Sequence, residues 1–237
     1  MKDILPMPTI LREISQHKYK LIILVLLLAA SAISATLAKA RMVYSNTNDY
    51  AFLLWNLVLA WIPLVFASAA YTVSWTRKFL FLIIPICALV WLVFFPNAPY
   101  LLTDFQHLSQ NKGNAPLWFD VILLIWFAWT GLLLGVFSLY LMQEIVARAF
   151  GPLISWIFAI TVTALSSIGI YLGRFLRWNS WDILGNPLPI VHDIYEWLRY
   201  PFSNLRTWGF TTLFTLFFLF IYLTFYTFGH VIQEQKI

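Results

Sequence analysis

Long apolar runs alternate with short polar stretches along the whole chain. Six runs stand out, over residues 21–38, 51–71, 79–95, 117–142, 152–173 and 208–228. Each is long enough, at 1.5 Å rise per residue, for an α-helix to cross a hydrocarbon core about 30 Å thick with some tilt. The pattern predicts an all-α protein: a polytopic transmembrane helix bundle of about six spans. Residues 1–237 then form a single membrane domain that begins with an N-tail of 1–20. Loops 39–50, 96–116 and 174–207 share one face, here called outer, and the shorter connections share the other. Within the last outer loop, Ile190, Val191, Ile194, Trp197 and Leu198 make one helical stripe; His192, Asp193, Glu196 and Arg199 make the opposite one. That segment, after the fifth span, predicts a short amphipathic helix lying in the membrane interface.

Composition supports the membrane reading. The chain is 61% hydrophobic and 11% charged, too few polar groups to coat a soluble domain. Its 12 Trp fit the headgroup belts of a bilayer. The net charge of +5 is spread through short loops, with no basic run of the kind that tracks a phosphate backbone. No nucleic-acid partner is expected; membrane lipids are. Cys87 is the single cysteine, which excludes an internal disulfide and a cysteine-cluster metal site.

The 15 Lys and Arg residues split eight to the inner face and seven to the outer, so total count does not orient the chain. The N-terminal flank of the first run is its more basic side, which favours a cytoplasmic N-terminus. The alternative is a cleaved signal peptide, for which Ala38-Lys-Ala40 supplies an A-x-A ending and which would leave five helices. Asp3 and Glu13 in a long leader, and the span-length run behind them, favour a retained helix.

The unusual polar residues gather in the outer loops. Phe95-Pro-Asn-Ala-Pro-Tyr-Leu-Leu-Thr-Asp-Phe-Gln-His-Leu108 breaks at two prolines and restarts as a short helix. There Asp104 and His107, three apart, can meet as an acid/base pair, or can be a solvated helix face. Arg174 and Arg177 end the fifth span beside Trp178 and Trp181. They read as a clamp for the phosphate of a lipid or isoprenoid headgroup, with Asn97, Asn179 and Asp182 around it, or as anchoring arginines paired to a carboxylate. Asp120 sits just inside the fourth span and must face the bundle. Gly131-x-x-x-Gly135 and Gly169-x-x-x-Gly173 predict that the fourth and fifth helices pack together, which directs Asp120 toward Arg174 or Arg177. No nucleotide-binding, zinc-protease or hydrolase motif is present. No spacing of His107, His192 and the carboxylates matches a metal site, so neither metal nor cofactor is expected.

Three stretches resemble a known group: Asn48-Asp-Tyr-Ala-Phe-Leu-Leu-Trp-Asn56, the 95–108 segment, and Gly173-Arg-Phe-Leu-Arg-Trp-Asn-Ser-Trp-Asp182. The chain resembles the bacterial membrane proteins gathered as domain-of-unknown-function family 1361. The resemblance implies a multi-pass protein of the bacterial cytoplasmic membrane and carries no activity or catalytic residue with it.

Three function classes stay open. One is an enzyme on a lipid-linked amphiphile, with Asp104, His107 or Asp120 as acid or base. Another is a transporter or flippase using the same groups along a pathway. The third is a non-catalytic partner of other membrane proteins or of a second copy, packed through the Gly-rich faces.

Overall fold

The computed structural model describes residues 9–74, 80–110 and 115–234. Parts of the N-tail, of the 72–78 turn with Arg77 and Lys78, of the 96–116 loop with Lys112, and of the C-tail lie outside the described residues. Among the described residues there is no strand. Long helices are α1 (Thr9–Ser45), α2 (Ala51–Val73), α3 (Leu80–Phe94), α5 (Leu117–Phe150), α6 (Pro152–Tyr171) and α9 (Leu205–Glu234). Shorter ones are α4 (Asn97–Tyr100), α7 (Asp182–Gly185) and α8 (Pro187–Arg199). Six helical stretches are long and apolar enough to cross a membrane, so the chain is a polytopic membrane protein.

The central staff is α5: 61% of its apolar window is buried, against 17% for α1 and 22% for the last span. Leu53, Leu57 and Ala60 of α2 pack on Leu123, Leu124 and Phe127 of α5. Trp91 and Phe95 meet Leu132 and Leu139 of α5 and Phe218 and Tyr222 of α9. The outward sides of α1 and α9 carry exposed Leu21, Leu28, Leu213 and Phe220. Lipid solvates those residues as well as a neighbouring helix does, so the helices gain from close approach and internal polar bonds.

The glycines show where approach is closest. A methyl group at Gly131 would lie 2.4 Å from the Ala98 carbonyl oxygen, and one at Gly169 would lie 2.8 Å from the Pro96 ring. Gly135 faces Phe218 and Pro99, and Gly173 faces Tyr100. Both G-x-x-x-G faces are therefore filled from within the chain, chiefly by the Pro96–Leu101 segment. Helices α5 and α6 do pack together, but their glycines seat that segment and not each other.

Several boundaries run past the apolar windows. Helix α1 continues through Ala38–Ala40 to Ser45, because Ala-Lys-Ala-Arg-Met-Val holds no breaker; Asn46 (φ 52°) ends it. Helix α5 runs to Phe150, where Gly151 (φ 89°) turns the chain into Pro152, the first residue of α6. After α3 the prolines redirect the chain without opening a long loop. Helix α4 leads straight into a 3₁₀ stretch, Leu101–Gln110.

Candidate functional site

Two buried ion pairs lie at the end of the bundle that gathers the outer loops. The first joins the last turns of α1 to the first turn of α5. Arg41 Nε donates to Asp120 Oδ1 at 2.5 Å and Nη2 to Oδ2 at 3.3 Å, a two-point fork in which both side chains are at most 2% exposed. The Tyr50 hydroxyl donates to Asp120 Oδ2 at 3.0 Å. Burial first, and then that bond to a carboxylate, raise the Tyr50 phenol above its ordinary range and keep its proton in place. The expectation that Asp120 meets Arg174 or Arg177 is therefore corrected: its partner is Arg41. From the sequence, Arg41 falls in the loop 39–50, because the apolar window closes at Ala38. The unbroken helix-forming run to Ser45 was the available signal.

The second pair joins the end of α6 to the 3₁₀ stretch. At three residues per turn, Leu101, Asp104 and His107 line up on one side. Asp104 is fully buried, which corrects the alternative of a solvated face. Leu172–Leu176 forms a π-helical turn, whose extra residue re-aims Arg174; Arg177 (φ 64°) then ends the helix in a left-handed conformation. Arg174 Nη2 donates to Asp104 Oδ1, Nε to Thr103 Oγ1 at 2.8 Å, and Nη1 lies 3.1 Å from His107 Nε2. A guanidinium only donates, so His107 Nε2 accepts and the ring proton sits on Nδ1. The guanidinium also stacks 4.1 Å from the Tyr100 ring centroid.

Helix α2 links the two pairs. Its entry residue Tyr50 reaches Asp120, Phe52 packs 4.6 Å from the His107 ring, and Asn56 Nδ2 donates to Asp104 Oδ2 at 3.3 Å. Two arginines and two aspartates leave this region electrically balanced. Arg174 is occupied by Asp104, and the basic lone pair of His107 is occupied by Arg174. Among the described residues no group of three His, Cys, Asp or Glu is placed to hold a metal.

Beside the second pair lies a cavity of about 130 Å³, far above the ~10–15 Å³ that admits one water. Its polar walls are Asn56, Asn97, Asn179 and Ser180; Trp55, Tyr100, Trp178 and Trp181 supply aromatic walls, and Leu59, Val93 and Leu172 apolar ones. Asn97 Nδ2 donates to Phe94 O and to Ser180 Oγ, both at 2.9 Å, which ties the α4 segment to the loop after α6. Asn179 donates to Asp182 Oδ2 through its backbone (2.7 Å) and its amide (3.3 Å), so Asp182 holds the turn together. Trp178 Nε1 donates to Asp193 Oδ2 at 3.0 Å, and Trp197 packs edge-on against Tyr171 at 5.3 Å; these contacts dock α8 over this end. On α8, Ile190 and Trp197 are buried, whereas Leu188, Val191 and Leu198 are exposed.

Of the residues singled out in the sequence, Asp104, His107 and Arg174 form one cluster, and Asn97 and Asn179 line the adjoining cavity. Asp120 belongs to the other pair. Asp182 braces the cavity's loop, and Arg177 is exposed outside its walls. Asn56, which borders both cavity and cluster, was missed; it lies one turn inside α2 and reads as an ordinary in-span amide.

A family model described as protein of unknown function (DUF1361) matches residues 55–221. No curated protein and no solved structure matches the chain.

Proposed function

The chain belongs to the DUF1361 family, whose description names no activity, and we propose that it is a multi-pass protein of the bacterial cytoplasmic membrane whose working part is the cavity beside Asp104 and Arg174. The N-terminus lies in the cytoplasm and the cavity on the extracytoplasmic side. The cavity receives the head of a membrane amphiphile, a lipid or an isoprenoid, while the apolar chain stays in the bilayer. Helix α8 lies in the interface with its exposed Leu188, Val191 and Leu198 toward lipid.

One observation carries this reading: at the end of membrane-length helices, a cavity combines amide and hydroxyl walls with indole and aliphatic ones. Polar groups fix a head and apolar walls take the first carbons of a tail. The Arg174–Asp104 pair is the internally satisfied brace that holds the 96–108 segment, and with it Asn97 and Tyr100, against α6. Binding is favoured over acid/base chemistry because His107 Nε2 is engaged by Arg174.

The test is lipid mass spectrometry on the full chain extracted in native nanodiscs. The wild type is expected to enrich one lipid class over the surrounding membrane, and Trp55→Ala, at a largely exposed side chain, to lose that enrichment while keeping its melting temperature; Asn97→Leu should lose it too, with a lowered melting temperature because its bonds to Phe94 and Ser180 go. A wild-type profile equal to the bulk membrane would refute the proposal.

A further inference from the structure

The amides around the cavity are oriented by partners that can only accept. Asn97 Nδ2 donates to a backbone carbonyl, Asn56 Nδ2 to the Asp104 carboxylate and Asn179 Nδ2 to the Asp182 carboxylate. Each bond fixes which end of the amide is nitrogen. All three Oδ1 atoms are thereby left as acceptors, with no donor bonded to them among the described residues. Ser180 Oγ accepts from Asn97, so its own hydrogen is free to donate. Asn56 and Asn179 each keep one further N–H, because each amide nitrogen has two and the side chain uses one. The walls thus accept and donate in the same small space.

Formal charge is missing from those walls. Neither arginine of the sequence-based clamp lines the cavity: Arg174 is held by Asp104, Thr103 and His107, and Arg177 is exposed outside. A phosphate only accepts, and among walls whose amide oxygens also only accept it finds no cation to offset its desolvation. An ammonium only donates, and it would leave the Ser180 hydroxyl and the amide N–H groups unanswered. A hydroxyl does both. Resting on the proposal that the cavity receives an amphiphile's head, we infer that the head is uncharged and hydroxyl-bearing, a sugar or a glycerol. Trp55, Trp178 and Trp181 line the cavity with Tyr100 and supply the aromatic surface against which the carbon skeleton of such a head packs.

Four probes with one tail and different heads test this: octyl glucoside, 1-octylglycerol, octyl phosphate and octylammonium. Each is titrated onto the full chain held in phosphatidylcholine nanodiscs, against Ser180→Ala and Asn97→Leu. Saturable binding of the glucoside or the glycerol ether is expected, at least tenfold tighter than the phosphate and the ammonium. Ser180→Ala should weaken it about threefold to tenfold. Whichever hydroxylated probe binds tighter names the source, sugar or glycerol. If the phosphate or the ammonium binds tightest, and Asn97→Leu abolishes that binding, the hydroxyl inference falls while the cavity stands as a head site. Four equal, variant-insensitive isotherms would overturn both.

Discussion

Removing Arg174 while leaving Asp104 is the sharpest perturbation of this end of the bundle. In Arg174→Met the buried carboxylate keeps the amide of Asn56 at 3.3 Å and loses its cation, and Thr103 and His107 lose the donor they share. Both members of the pair are at most 4% exposed, so water cannot replace the missing charge. Breaking a buried pair from one side costs about 3–5 kcal/mol. Asp104→Leu should cost a similar amount by stranding the guanidinium. The double variant Arg174→Met/Asp104→Leu buries no charge and should be less damaging than either single change, with a coupling of at least ~2 kcal/mol. Equilibrium unfolding in mixed micelles, run as a double-mutant cycle, measures this coupling. Additive single effects, with a coupling below about 0.5 kcal/mol, would refute the direct pair.

Further outcomes follow from the same geometry. Arg41→Met and Asp120→Leu should show the same non-additive pattern at the other pair, checked by the same cycle. Tyr50→Phe removes a hydrogen bond to a buried carboxylate and should cost about 1.5–3 kcal/mol in unfolding free energy. Because burial raises the phenol's pKa, its stabilising contribution is complete below the ordinary value of ~10 and is lost as pH rises through the raised value; the wild-type minus Tyr50→Phe difference in 295 nm absorbance should show no ionisation at pH 10. Gly131→Ala forces a methyl against the Ala98 carbonyl and should cost about 1–3 kcal/mol, whereas Gly229→Ala meets open space and should leave the melting temperature unchanged or slightly raised.

Helix number was legible in the sequence because the period and length of apolar runs are imposed by the bilayer itself. So was the gathering of Asp104, His107 and Arg174, since alternate crossings put their loops on one face. Pairing was not legible. Choosing Arg41 over Arg174 for Asp120 depends on α1 running seven residues past its apolar window and on a π-helical turn that re-aims Arg174. Neither leaves a mark in hydropathy. The glycine motifs named the crowded helix faces but not their occupant, because close approach suits a re-entering loop as well as a second helix. The cavity was invisible for a related reason: Asn56, Asn97 and Ser180 come from three separate stretches and act together only through the fold.

Everything at this end requires that the connections after α1, α3 and α6 reach the same side of the membrane. Single cysteines at the exposed positions Tyr44, Gln106, Arg177 and His192, in a Cys87→Ala background, can be labelled with an impermeant maleimide in intact cells and in inverted vesicles. All four are expected to react from one side, and a cysteine at Arg148, at the far end of α5, from the other. Labelling of Gln106 and Arg177 from opposite sides would contradict the ion pair, the cavity and every proposal built on them.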